Sequence, residues 1–135
     1  MFGDRIQPVI TFQETISADA ARAIARVPQD TRVVGVDVFN STNLATHATV
    51  YLTCKLINLG TDGSGTTVIA SASTSQTGGS AMSANVAFPL TVTAANATLT
   101  AGQTIGFIYD ESTTDLANSA VINVAVRVQS VGSPS

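Results

Sequence analysis

The stretch THATVYLTCKLINL, residues 46–59, decides the fold. Val50, Leu52, Cys54 and Leu56 recur at every second position, with Thr49, Tyr51, Thr53 and Lys55 between them. A period of two puts each set on its own face of a strand. One dry face and one wetter face suit an antiparallel sheet covered on a single side. Downstream, GTDGSG at 60–65 reads as a hairpin loop, because Asp62-Gly63 supplies the positive φ such turns need. Residues 66–73 then form the returning strand.

Upstream, Pro28-Gln29-Asp30-Thr31 is a turn and 32–39 a strand, with Val34, Val36 and Val38 on one face and Gly35 and Asp37 on the other. The same alternation closes the chain at 120–131, where Ile122, Val124, Val126 and Val128 share a face. Further strands are expected at 7–12, at 86–93 with Pro89 marking a bulge or an edge, at 97–100 and at 104–110. Residues 94–96 turn the chain. Segment 17–27 is open between helix and strand, and its second half, 23–27, favours a strand that stops at Pro28. TSQTGGSAMSAN at 74–85 reads as a mobile polar surface loop, and 111–119 as a second polar loop. The sum is an all-β fold, an antiparallel β-sandwich or jelly roll of about eight strands. Residues 1–13 are expected to be an N-terminal arm or first edge strand, 14–131 a single sandwich domain and 132–135 a frayed tail.

Composition narrows the function. The 135 residues are 44% hydrophobic and only 11% charged, with a net charge of −3. Average soluble proteins carry roughly 25% charged residues. A chain so poor in long charged side chains suits life packed against a neighbour. Lys55 is the single lysine beside five arginines, and no basic run exists, so nucleic acid is not an expected partner. No apolar stretch approaches the roughly 20 residues of a membrane span, and no membrane contact is expected. The N-terminal MFGDRIQPVITF lacks the pattern of a secretory signal, so synthesis in a cytoplasm is expected.

Catalytic constellations are not apparent, and the chain is not expected to be an enzyme or to need a cofactor or metal. His47 is the one histidine, read as a surface residue, since a zinc site takes three or four ligands. Cys54 stands alone and reads as a buried inert thiol. Asp110 and Glu111, with Asp115 nearby, read as a solvated acidic loop, with Ca²⁺ binding the open alternative. Tyr51 and Tyr109 read as half-buried residues on the wetter sheet faces, or else as a thin aromatic platform for a sugar. Phe2, Ile6, Val9, Ile10 and Phe12 load the N-terminal arm with apolar side chains. They are the candidate partner contacts, unless they complete the domain's own core.

Three stretches carry a resemblance: ARVPQDTRVVGVDVFNST (25–42), LTAGQTIGFIYDES (99–112) and AVINVAVRVQSV (120–131). A Pro-turn leading into Val-Gly-Val, and later a Leu-x-Ala-Gly-Gln-x-Ile turn before the last strands, resemble the small β-sandwich head decoration, or cement, proteins of tailed bacteriophages. The resemblance implies a structural virion protein on the outer capsid surface. It would form a homotrimer and clamp neighbouring major capsid subunits. The alternative is a receptor- or glycan-binding sandwich of a tail fibre or adhesin.

Overall fold

Two runs of alternating apolar residues, around Val36 and around Val124, meet side by side, and the rest of the chain folds around that pairing. The computed structural model describes residues 9–15, 22–111 and 121–131. Ten strands follow one another in it: β1 (Val9–Thr15), β2 (Arg22–Arg26), β3 (Thr31–Asn40), β4 (Leu52–Gly60), β5 (Thr67–Ser73), β6 (Phe88–Pro89), β7 (Thr91–Val92), β8 (Thr98–Leu99), β9 (Thr104–Glu111) and β10 (Val121–Ser130). One sheet runs β1-β10-β3, with the short β6 and β8 both on the far side of β3. The other runs β2-β9-β4-β5-β7. Every strand pairing among the described residues is antiparallel.

The order is nested. β1 pairs with the last strand and β2 with the one before it, while β3 and β4 take the other sides of those same two strands. A folded-over ribbon of this kind is a jelly roll, a form of β-sandwich. Val36 and Val38 from β3 and Val124 and Val126 from β10 face Leu52, Cys54 and Leu56 from β4 and Ile105 and Phe107 from β9 in one buried cluster.

The strand expectations hold with corrections that have physical causes. Val34 is not on the core face. Arg127 stands opposite Gly35 and Val128 opposite Val33, so Val34 is an extra, bulged residue and the buried phase switches to Val33. The long run of 46–59 is a strand only from Leu52, for a reason given by His47 below. Run 86–93 splits at Leu90. Phe88–Pro89 pairs with β3 in one sheet and Thr91–Val92 with β5 in the other, so the chain changes sheets there. Pro89 cannot donate to a ladder, and a break beside it is what its chemistry favours. This split and the strand within 17–27 together account for ten strands where about eight were expected. Residues 94–96 form one 3-10 turn. Within 17–27, Arg22–Arg26 is a strand, and 16–21 lie outside the described residues. The first strand, expected at 7–12, runs on to Thr15, and positions 7 and 8 lie outside the described residues.

On the outer face of the first sheet, Gly35 and Asp37 share a side as the alternation required. Arg127 Nη1 donates to Asp37 Oδ2 at 2.6 Å. Its guanidinium lies flat over Gly35, occupying the place a Cβ would take. The absent side chain is what lets the ion pair lie against the sheet.

Three outcomes follow from this packing. Gly35→Ala should lift Arg127 off the sheet and cost at most about 1 kcal/mol, since the arginine is 43% exposed and solvent-screened; urea denaturation reads the loss. Leu56→Ala, at 0% exposure, should cost about 2–5 kcal/mol by the same measurement. Burial pushes the Cys54 thiol from 9.0 up to about 12. The folded chain therefore holds the neutral thiol while the unfolded one ionises. This contribution to stability is fully present below about pH 9 and is lost as pH rises toward 12. At pH 8, Cys54 should react with a thiol reagent only after unfolding.

Candidate interaction surfaces

The loops at one end of the sandwich are held by side chains the sequence disguised as strand. Backbone N–H groups of Thr49 and Val50 donate to His47 Nδ1 at 3.1 and 2.9 Å. That ring nitrogen accepts both bonds and caps a turn. This turn interrupts the alternating run, so β4 begins at Leu52. The surface position expected for His47 is borne out, since it is exposed. Loop 74–87 is tied rather than loose. Leu44 and Met82 exchange two backbone hydrogen bonds of 2.8 Å, and His47 N donates to Thr74 O at 3.1 Å. Buried Thr74 accepts from Leu52 N on its hydroxyl at 2.9 Å and donates its own N–H to Leu52 O. Met82, 2% exposed, plugs the core under a segment that reads as polar surface.

At the opposite end, turns 28–30 and 101–103 are zipped together. Val27 N donates to Gln103 O at 2.9 Å and Gly102 N to Val27 O at 2.8 Å. Ala101 N donates to Asp30 Oδ1 at 3.0 Å. Gly102 sits at φ +94°, which favours glycine. The two motifs that carry the family resemblance are therefore one structural joint between the sheets.

Between β4, β5 and loop 75–80 lies an open groove of about 660 Å³. Eight of its thirteen lining residues bear hydroxyls, Tyr51, Thr53, Ser71 and Ser73 among them, and none is charged. Such a lining offers hydrogen bonds but no acid, base or metal ligand. Sequence reading missed it; the signal was the alternation of small hydroxyls on the outer side of β4 and β5.

Asp62 lies outside any cluster with Asp110 and Glu111. β4 separates them, a span of roughly 26 Å for nine residues. The Ser64 hydroxyl and backbone N–H donate to Asp62 Oδ1 at 2.7 and 3.0 Å, which lowers its pKa. Its work is to fold its own loop. Asp110 is exposed, Glu111 ends β9, and Asp115 lies outside the described residues. Among the described residues no three His, Cys, Asp or Glu side chains converge on a common point, and no helix is long and apolar enough to cross a membrane.

Tyr109 is a correction. It is 3% exposed, with its ring 5.8 Å from that of Phe107 and tilted against it. Only Tyr51 faces the groove, so the two tyrosines form no common platform. Of the arm residues, Val9, Ile10 and Phe12 belong to β1, and Phe2 and Ile6 lie outside the described residues.

The sheet edges differ sharply. β2 is five residues long, bulged at Ile24 and bounded by Arg22 and Arg26. β6, β7 and β8 are two residues each, and β6 contains Pro89. Short length, bulges, arginines and prolines are the usual protections against strand addition. β1 has none of them. Its seven residues, VITFQET, pair with β10 in one unbroken register.

No protein-family model matches this chain, and no curated protein sequence does. Among solved structures, a chain of the cyanophage Pam1 capsid asymmetric unit is similar in fold, with a TM-score of 0.51 and 19% identity. The match covers 97% of this chain and 90% of that one.

The two tyrosines should separate in a stability measurement. Tyr109→Ala should cost about 3–5 kcal/mol in urea denaturation, as for other buried aromatics. Tyr51→Ala, at the groove, should cost clearly less.

Proposed function

We propose that this chain is a structural virion protein that decorates the outside of a mature phage capsid and stabilises it by clamping neighbouring major capsid subunits. The observation that carries the reading is the end-to-end likeness in fold to a chain of a phage capsid asymmetric unit. The turn motifs at 28–31 and 99–105 support the finer assignment, since they resemble those of decoration proteins.

Charge supports an outward position. A protein facing packaged DNA gains from a basic surface, whereas this chain carries net −3 with six basic residues. Low charge also suits broad contacts made largely by Thr, Ser and apolar groups, which lose little side-chain entropy on docking. The role is non-catalytic and needs no cofactor. Homotrimers at three-fold positions would let each chain hold a weak contact while the assembly binds firmly, because joined sites add avidity.

Mixing the purified protein with expanded heads that lack it, followed by sedimentation, tests the proposal. The protein should saturate the heads and raise the temperature at which they open. Occupancy at 100 times Kd adds about 2.7 kcal/mol per site to the bound state. Failure to bind expanded heads at any concentration would reject the reading.

A further inference from the structure

We propose that the outer edge of β1 is a two-fold self-association site, at which β1 of a second copy pairs antiparallel and joins the two β1-β10-β3 sheets into one. The inference is independent of the virion reading.

It rests on the contrast among the edges. Unpaired backbone along a long, regular, nearly uncharged strand templates another strand. Among the described residues β1 has a strand neighbour on one side only, β10. The bulge in the β10–β3 ladder lies at Arg127/Val128, beyond the residues that β1 pairs along most of its length, and the β1 ladder itself shows no shift. Every other edge in either sheet is two residues long or bulged and flanked by arginine. Among the described residues, a copy's own β1 is thus the one strand edge of matching length and regularity.

Charge and register fit this occupant. Antiparallel pairing of all seven residues centres on Phe12, opposite Phe12 of the second copy. Thr11 then stands opposite Gln13, Ile10 opposite Glu14 and Val9 opposite Thr15. Glu14 is the only charge in the strand, and it meets Ile10, so no like charges face each other. A contact in which each copy gives and receives the same surface is two-fold and closes on itself. It doubles whatever else the chain assembles into: two chains from a monomer, six from a trimer.

Positions 11 and 13 allow a test of this register. Within one chain they stand opposite Ala125 and Asn123, whereas the buried Val124 and Val126 stand opposite Phe12 and Ile10. Positions 11 and 13 thus pair with β10 positions that lie off its buried Val124/Val126 face, which makes them the register positions to substitute. The variant Thr11→Lys/Gln13→Lys sets two Lys–Lys pairs across the contact. The variant Thr11→Lys/Gln13→Glu sets two Lys–Glu pairs with the same added lysine. Light scattering after size exclusion reads the mass, and thermal melts confirm that each variant folds. An even-numbered assembly is expected for the natural chain. The double-lysine variant should halve it or weaken it roughly tenfold, and the lysine–glutamate variant should keep it. A monomer or an odd-numbered assembly of the natural chain overturns the proposal. So do equal losses in both variants, or loss in neither.

Discussion

The fold depends on β9 and β10 lying inside the two sheets. β10 sits between β1 and β3, and β9 between β2 and β4, so strands from the end of the chain complete ladders begun near its start. Neither sheet is whole until that pair arrives. The buried faces of both strands, Ile105, Phe107 and Tyr109 on one and Ile122, Val124, Val126 and Val128 on the other, are what the early strands close over. Pairings so distant in sequence carry a large loop-closure cost. Such topologies fold slowly for that reason. The joint of turns 28–30 and 101–103 ties the entry of β3 to the entry of β9, which brings the distant segments into register.

That arrangement leaves the sandwich's ends and edges for function. Its interior is mostly apolar, and the polar groups named above serve structure: Thr74 bonds Leu52, Asp62 folds its own loop, His47 caps a turn, and Asp37 holds Arg127 over Gly35. Among the described residues no acid, base or nucleophile is left in a converging set. What the described surface offers instead is a neutral hydroxyl-lined groove and, in β1, a strand that pairs with β10 in an unbroken register. These are means of contact.

Much of this was legible in the sequence, and the misses have causes. Alternation in β10, and in β4 as far as Leu56, is a direct consequence of one-sided burial, so class and most strands could be read. Bulges are invisible to a period of two, which is why Val34 was placed on the core face instead of Val33. The run from 46 to 51 alternates like a strand, but a ring nitrogen capping two N–H groups needs three-dimensional geometry to be seen. Met82 lay hidden in a polar segment because one buried side chain carries no periodic signal. Tyr109 shows the same limit: its i−2 and i−4 neighbours, Phe107 and Ile105, define a dry face, yet tyrosine alone reads as a residue of wetter surfaces. The groove emerged only from the pairing of β4 with β5, which sets Thr53 opposite Ser73.

A reconstruction of the mature head by electron cryomicroscopy tests the central claim most directly. The account predicts jelly-roll density standing on the outer surface of a continuous shell, with this chain's sandwich bridging adjacent capsid subunits. Density for this chain in the shell floor, on the inner face or on a tail fibre, with bare outer junctions, would contradict it.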